Sequence, residues 1–196
     1  MSGLHDSVAT TGDHAHAATT SDHAHATAAG RASGATTTGR ASNAAAAGKF
    51  AQAATTGGYA HALTAGKYAS ATTAGDYACA VTAGEDAHAD TTGRYAHAAT
   101  TGDFSHATTA GDYAHATTIG DLARATTSGE NSIAAAFGAN SSARAADGGF
   151  IVLAQYSPDG DTVVAVKTAQ VGKDGIKPDT WYTLSPTGEF VEVEVE

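Results

Sequence analysis

Small, polar and aromatic positions recur every nine residues through most of this chain. The unit is represented by residues 111–118, which read Gly-Asp-Tyr-Ala-His-Ala-Thr-Thr. Glycine occupies position 1 in 15 of the 16 units between residues 3 and 146, and Ser21 is the exception. Position 6 is alanine in 15 units, and position 8 is threonine in 12. A fixed short period without insertions indicates a repeat architecture.

Alternation within the unit predicts a β-strand. Positions 4 and 6 are small, whereas positions 3 and 5 are larger, either polar or aromatic, which is a period of two. We expect a strand of about five residues that ends near the threonine pair. A helix is disfavoured because nine residues make about two and a half turns, so each column would change face at every repeat. The glycine at position 1 indicates a turn with positive φ or a close backbone approach.

Two nonapeptides are needed to close one coil. A single nine-residue strand spans about 30 Å, and a coil with that perimeter encloses almost no interior. Two facing strands can instead point the alanines of positions 4 and 6 inward. We therefore predict an all-β fold, a parallel β-roll solenoid of about eight coils and about 38 Å in length. The expected core alanines are Ala78, Ala80, Ala96, Ala98, Ala114 and Ala116.

Two alternatives to this solenoid remain open at the level of sequence. Disorder suits a low-complexity composition, but it does not require one residue type at a fixed position. Intertwined chains, each contributing one face of a shared prism, would produce the same repeat.

The pattern stops at residue 147, and the composition then changes. Apolar runs separated by Pro-, Gly- and Ser-containing turns predict two hairpins. Their strands are expected at 150–156, 162–171, 181–184 and 189–195. We expect two domains: residues 3–146 form the solenoid, and residues 147–196 form a small antiparallel β cap on its open end that also sets oligomer register.

Composition narrows the possible function. Ala, Thr and Gly number 48, 29 and 23, which leaves too few large apolar residues for the core of an enzyme of this size. The net charge of −10 disfavours a nucleic-acid partner. No apolar run is long enough for membrane insertion, and the first residues do not resemble a secretory signal.

Histidines at position 5 are the main candidates for chemistry. Two-unit coils stack His88 on His106 and His97 on His115, and such pairs are weak candidates for a metal site. The pattern supplies no constant third ligand, so exposed stacked histidines are the alternative. Cys79 occupies the same position, and a Cys–His pair can be nucleophilic. A regular rod implies no pocket, and we expect no enzyme activity and no cofactor.

Two other columns suggest surface functions. Threonines at position 8 would form an ice-binding array if they pointed outward, although strict alternation directs them inward. These are Thr73, Thr82, Thr91, Thr100, Thr109 and Thr118. Aromatic residues at position 3 form an exposed apolar stripe that like chains are expected to cover. The alternative is a ladder of rings stacked on one another. The expected interface residues are Phe50, Tyr59, Tyr68, Tyr77, Tyr95, Phe104 and Tyr113.

The last repeats carry a family resemblance. Residues 131–143 read N-S-I-A-A-A-F-G-A-N-S-S-A. This resembles the N-S-x-A-x-G-x-x-S-x-A-x-G pattern in the heads of YadA-type trimeric autotransporter adhesins, which are parallel β-rolls with shorter coils. Similar repeats occur in phage tail-fibre-like proteins.

The resemblance implies a structural, self-assembling fibre or adhesive outside the cell, on the cell surface or on a phage particle. Its partners would be further copies, in a trimer or filament, and a cell-surface or glycan receptor. The alternative function is an ice-binding or metal-binding solenoid.

Overall fold

The protein is an all-β solenoid built from two parallel sheets placed back to back. The computed structural model describes residues 5–157, 159–160 and 162–194. Within these residues twenty strands form two ten-stranded sheets. Consecutive strands alternate between the two sheets from β1 to β17, whereas β18 stays in the sheet of β17 and β19 and β20 share the other sheet. The predicted fold class is thereby confirmed, with two nonapeptides in each coil.

Sheet A contains the odd-numbered strands from β1 to β17, together with β18. Its strands, in spatial order, are β1 (Ser7–Thr11), β3 (His25–Ala29), β5 (Asn43–Ala47), β7 (His61–Ala65), β9 (Cys79–Ala83), β11 (His97–Thr101), β13 (His115–Ile119), β15 (Ile133–Ala136), β17 (Phe150–Tyr156) and β18 (Val163–Gln170).

Sheet B contains the remaining strands. In spatial order they are β2 (His16–Thr19), β4 (Gly34–Thr38), β6 (Gln52–Thr56), β8 (Ser70–Ala74), β10 (His88–Thr92), β12 (His106–Ala110), β14 (Arg124–Thr127), β16 (Ser142–Arg144), β19 (Tyr182–Leu184) and β20 (Phe190–Glu192).

Each repeat strand pairs in parallel with the strand 18 residues away. In sheet A, His97 is in register with Cys79 on one side and with His115 on the other. Most strands of the repeats cover positions 5 to 9 of the unit, and positions 6 and 8 point inward. Position 4, at the end of the preceding corner, is also buried. The interior is therefore a layer of alanine and threonine between two hydrogen-bonded sheets.

Glycine at position 1 is required by backbone contact between coils. A Cβ atom on Gly93 would lie 2.2 Å from the carbonyl oxygen of Gly75, and φ at Gly93 is +144°. Gly12, in the first coil, has no atom of the described residues within 4 Å of the same Cβ position. The one departure from glycine, Ser21, is likewise near the first coil, and its stacking partner at residue 3 lies outside the described residues.

The corners also place position 3 in the left-handed region, which the sequence did not predict. Every position-3 residue from His14 to Asn140 has φ between +54° and +63°, including Tyr77 at +58°. Non-glycine residues pay about 1–2 kcal/mol for this conformation. The corner imposes it because the position-3 amide must bond to the next coil, as when Tyr77 N donates to Arg94 O at 2.9 Å.

The C-terminal strands extend both sheets. β17 first pairs in parallel with β15, and β18 then pairs with it in antiparallel fashion. β19 and β20 extend sheet B, each with antiparallel pairing. The predicted hairpins are thus continuous with the solenoid, although Pro158 and Asp161 of the first turn and Val195 of the last strand lie outside the described residues.

The reason for this continuity is the side-chain register at β17. Ile151 lies opposite Ala134, and Leu153 lies opposite Ala136, so both occupy inward columns of the repeat. Both are almost fully buried, and they are among the largest buried side chains. Larger side chains thus close the core at the end where the alanine pattern stops. No helix in the described part of the chain is long and apolar enough to span a bilayer.

Candidate functional site: two outer faces and two aromatic corners

Two outer faces result from the alternation of sheets, and they differ in chemistry. Outer face A is defined by positions 7 and 9 of β1 to β15 in sheet A. It contains no charged residue, and Leu63 and Ile119 are 45% and 53% exposed. Its residues are Ala9, Thr11, Thr27, Ala29, Ala45, Ala47, Leu63, Ala65, Val81, Ala83, Ala99, Thr101, Thr117, Ile119, Ala135 and Phe137.

Outer face B is defined by the same positions in sheet B. It is rich in threonine, includes Asp90 and Arg144, and has no apolar side chain larger than alanine. Its residues are Ala18, Thr20, Thr36, Thr38, Ala54, Thr56, Thr72, Ala74, Asp90, Thr92, Thr108, Ala110, Thr126, Ser128, Arg144 and Ala146.

The surface of face A is uneven, and its apolar character continues onto strands β17 and β18. A shallow apolar depression of about 510 Å³ extends over β1 to β9, and Leu63 and Val81 help to line it. On the next strands Ala154 pairs with Val166, which is 54% exposed. The apolar surface therefore extends along the whole of sheet A. The sequence pattern had not led us to predict this difference between the two faces. A separate comparison of odd-numbered and even-numbered repeats could have revealed it.

The predicted interface aromatics lie on two corners. One corner holds Tyr59, Tyr77, Tyr95 and Tyr113, whose successive ring centroids are 4.9–5.2 Å apart with interplanar angles of 3–13°. At the other corner Phe50 stacks on Tyr68 at 5.1 Å. Asp86 then interrupts this column, so Phe104 is separated from the pair.

Cations from position 2 cover several of these rings. Lys49 Nζ lies 5.1 Å from the Phe50 centroid and 5.7 Å from that of Tyr68, and the Arg94 guanidinium lies 5.5 Å from Tyr95. Such contacts are favourable by about 0.5–1 kcal/mol at exposed sites. The rings therefore cover one another in part, but Tyr59 and Tyr77 remain 48% and 47% exposed.

Aspartate at position 2 has a structural role that the sequence did not reveal. The backbone N–H of Arg94 donates to Asp76 Oδ1 at 2.9 Å, and that of Asp121 donates to Asp103 Oδ1 at 2.9 Å. Each bond joins one coil to the next, 18 residues later. The short Asp side chain thus satisfies a corner amide that lies outside the sheet ladder.

The histidine pairs lie on opposite sheets. His88 and His106, on sheet B, have ring centroids 4.9 Å apart, and His97 and His115, on sheet A, are 5.1 Å apart. Burial and, second, the neighbouring His88 lower the pKa of His106, and burial and then His97 lower that of His115. Among the described residues no cluster of three His, Cys, Asp or Glu could hold a metal ion. Each pair therefore offers two ligands only.

Cys79 lies between two histidines, His61 and His97, in the same column of sheet A. Burial raises the pKa of its thiol. A reactive cysteine requires the thiolate, which a lowered pKa favours. This environment therefore opposes a nucleophilic role for Cys79.

Threonines at position 8 point into the core. The six residues of the proposed ice-binding array are at most 2% exposed, so this array does not reach the surface. Most of these buried hydroxyls, including those of Thr73 and Thr82, have no hydrogen-bond partner. A serine at position 4 of the next unit can supply a partner, as where Thr100 Oγ1 lies 2.9 Å from Ser105 Oγ. Thr127 lacks a partner although Ser132 occupies that position, because Ser132 Oγ bonds to backbone groups instead.

A cleft lies between the two C-terminal hairpins, with a volume of about 330 Å³. Two of its polar groups are already bonded within the protein. Gln155 Nε2 donates to Pro186 O at 2.7 Å, and the Tyr156 hydroxyl donates to Phe137 O at 2.8 Å. The first bond joins the two hairpins, and the second ties the first hairpin to the last repeats.

Comparisons with protein-family models, with curated proteins and with solved structures found no match. The functional assignment therefore depends on the geometry of the faces and corners.

Proposed function

We propose that this protein is a non-enzymatic structural rod that self-associates, as the shaft of a fibre or as an adhesive element. The observation that carries the proposal is the continuous pair of ten-stranded sheets, which repeats its outward columns every 18 residues. Backbone hydrogen bonds and position-2 aspartates join successive coils. This bonding favours a stiff body with regularly spaced contact points.

Repetition gives such a rod a mechanism of binding. One exposed tyrosine edge makes a weak contact, but four equivalent edges along one corner can engage a repetitive partner together. Linked weak contacts raise the overall affinity by 10²–10⁴ through effective concentration. The exposed corners at Tyr59–Tyr113 and at Phe50, Tyr68 and Phe104 are the surfaces proposed to make these contacts.

The resemblance of residues 131–143 to YadA-type head repeats supports the same proposal. It favours a homo-oligomer, as a trimer or a filament, located outside the cell, on a cell surface or on a phage particle. A cell-surface or glycan receptor would be the external partner. The similarity of these repeats to those of phage tail-fibre-like proteins supports the same class of function.

Metal binding is a second candidate, supported by the His88–His106 and His97–His115 pairs. A tetrahedral site needs four ligands, so two copies would have to bring their pairs together. Titration with Zn²⁺, monitored by calorimetry, should show binding only where the protein is associated. No binding at any concentration would dispose of this candidate, and binding to the monomer would show that a second copy is not needed.

The experiment that tests the structural function is absolute mass by multi-angle light scattering across a concentration series. We expect a discrete oligomer or a growing filament, and electron micrographs should show rods with a thickness set by paired solenoids. A monomer at every concentration would overturn the proposal.

A further inference from the structure

We infer that outer face A is the surface on which a second copy of this chain docks. The inference rests on the proposed self-association and specifies where it occurs. It assigns the central contact to a sheet face, whereas the sequence pattern pointed to the aromatic corners.

The charge distribution selects face A. The chain carries a net charge of −10, so like chains repel one another over most orientations. Positions 7 and 9 of face A contain no charged side chain, and face B contains Asp90 and Arg144. Contact through face A removes Leu63, Val81 and Ile119 from water without desolvating a charge.

The dimensions of sheet A suit a stable dimer. A five-residue strand is about 17 Å long, and ten strands at about 4.8 Å spacing extend about 48 Å. The outer surface of sheet A, which comprises face A, the outward position-5 column and strands β17 and β18, therefore has an area of about 800 Å². Stable interfaces of standard size bury about this area on each partner.

The rung spacing favours a second copy over another partner. Rows on face A recur with the spacing of the parallel ladder, and an identical chain presents rows with the same spacing. In a two-fold contact each prominent side chain, such as Leu63, can then lie over a row of alanines on the partner. The shallow depression beside Leu63 and Val81 provides space for such interdigitation.

The aromatic rings at the corners are already partly covered by other side chains of the same chain. Their rings stack on one another at about 5 Å, and several are covered by cations. Leu63 and Ile119 on face A are 45% and 53% exposed. The corner with Tyr59–Tyr113 adjoins the start of the sheet A strands, so it would border the docked copy and stay open to other partners.

The test compares two double variants of the full chain. Leu63→Lys with Ile119→Lys places two cations on face A, at positions 7 and 9. Thr72→Lys with Thr92→Lys places two cations at the same positions on face B, where both threonines are also exposed. Light scattering should show association weakened at least tenfold in the face A variant and unchanged in the face B variant.

A milder pair guards against loss of folding. Leu63→Thr with Ile119→Thr gives face A the hydroxyl character of face B while keeping strand-compatible residues. We expect weaker association with an unchanged circular dichroism spectrum, and an unchanged melting temperature at concentrations where both proteins are monomeric.

The outcomes separate the inference from the proposed function. If the wild type never associates, the proposed function and the inference both fail. If the wild type associates and both face A variants associate equally well, the inference alone is wrong. Loss of association only in Tyr77→Ser with Tyr95→Ser would transfer the interface to the corner and also overturn the inference.

Discussion

The two outer faces of the rod derive from one nine-residue unit, and they have diverged. Face A carries all the large apolar residues at positions 7 and 9, namely Leu63, Val81, Ile119 and Phe137, and face B carries the charges. The inward columns are the same in both sheets, with alanine at position 6 and mostly threonine at position 8. Packing thus constrains the inner columns equally, and the outer columns are free to specialise.

The composition of the inner layer bears on the stability of both sheets. Alanine loses almost no side-chain entropy on ordering, but its burial also contributes little hydrophobic free energy. Stability must therefore come from the accumulation of rungs and from close contact between coils. If contact between coils stabilises both sheets equally, equivalent substitutions in sheet A and in sheet B should lower the free energy of unfolding by the same amount.

The largest effect is expected at the glycine corners. Gly93→Ala, before a strand of sheet A, and Gly102→Ala, before a strand of sheet B, would each place a Cβ within 2.2 Å of a carbonyl oxygen of the previous coil. We expect each to lower the free energy of unfolding by roughly 3 kcal/mol or more, measured by urea denaturation.

Gly12→Ala is the matched control, because its φ of +126° is also strained but its Cβ would meet no atom within 4 Å in the part of the chain that the structure describes. It should cost about 1–3 kcal/mol, from backbone strain alone. Equal losses at Gly12 and Gly93 would show that contact between coils is not the reason for glycine. Unequal losses of stability at Gly93 and Gly102 would show that contact between coils does not stabilise the two sheets equally.

An intermediate effect is expected in the threonine layer. Ala87→Ser would place a hydroxyl five residues after Thr82, the spacing at which Ser105 partners Thr100. Ala96→Ser would do the same for Thr91, as Ser42 does for Thr37 at 3.0 Å. Each serine should raise the free energy of unfolding by about 1 kcal/mol, since it gives a partner to a buried hydroxyl.

A double-mutant cycle with Thr82→Val checks the mechanism. The valine removes the unpaired hydroxyl at nearly constant shape, so by itself it should be neutral or stabilising. In that background Ala87→Ser should lose its benefit. A gain of equal size with and without Thr82 would contradict the proposed hydrogen bond.

The smallest effect is expected from the histidine columns. Because the pKa values of His106 on sheet B and His115 on sheet A are lowered in the folded state, the unfolded state binds more protons just below pH 6.5. Stability should therefore fall as the pH falls through this value and should be regained above it. Partial exposure of both rings limits the effect to less than about 1 kcal/mol each.

Melting curves between pH 7.5 and 5 test this prediction. His106→Gln and His115→Gln should each reduce the loss of stability in acid, and Ser70→Gln in the same sheet B column controls for the added amide. A wild-type melting temperature that stays constant or rises in acid would show that the sign is wrong.

Much of the fold was accessible from the sequence, because single columns report directly on geometry. The glycine spacing gave the corners, and the inward alternation at positions 4 and 6 gave the core. The short span of nine residues gave the number of units per coil, because a coil made of one unit encloses almost no interior. These features are local or periodic, so no knowledge of distant contacts was needed to predict them.

Other features depend on contacts that the pattern does not encode. Tyr77 and its equivalents adopt a left-handed conformation that aromatic residues normally avoid, and only the bond to the next coil explains it. The parallel pairing of β17 follows from Ile151 and Leu153 filling the end of the alanine core. The Asp76 contact with the backbone of Arg94 likewise required the coil register.

The candidate site was less accessible, because the sequence drew attention to residue types with familiar chemistry. Histidines and tyrosines stood out, whereas a face made mostly of alanine did not. Face A became visible only after odd and even repeats were assigned to separate sheets. Its significance lies in what it lacks, since an uncharged face is unusual on a chain with this net charge.

The most direct test of docking through face A uses the chain's own thiol as a probe. Cys79 is half-buried on β9, the fifth of the ten strands in sheet A, in the column beside Val81. The measurement is the rate of maleimide labelling against protein concentration, with a Cys79→Ser and Ser70→Cys double variant as the sheet B control. Docking through face A predicts that labelling of Cys79 slows as the chains associate, while the control is labelled at a constant rate. A Cys79 rate that stays constant over concentrations at which the mass increases would contradict the account.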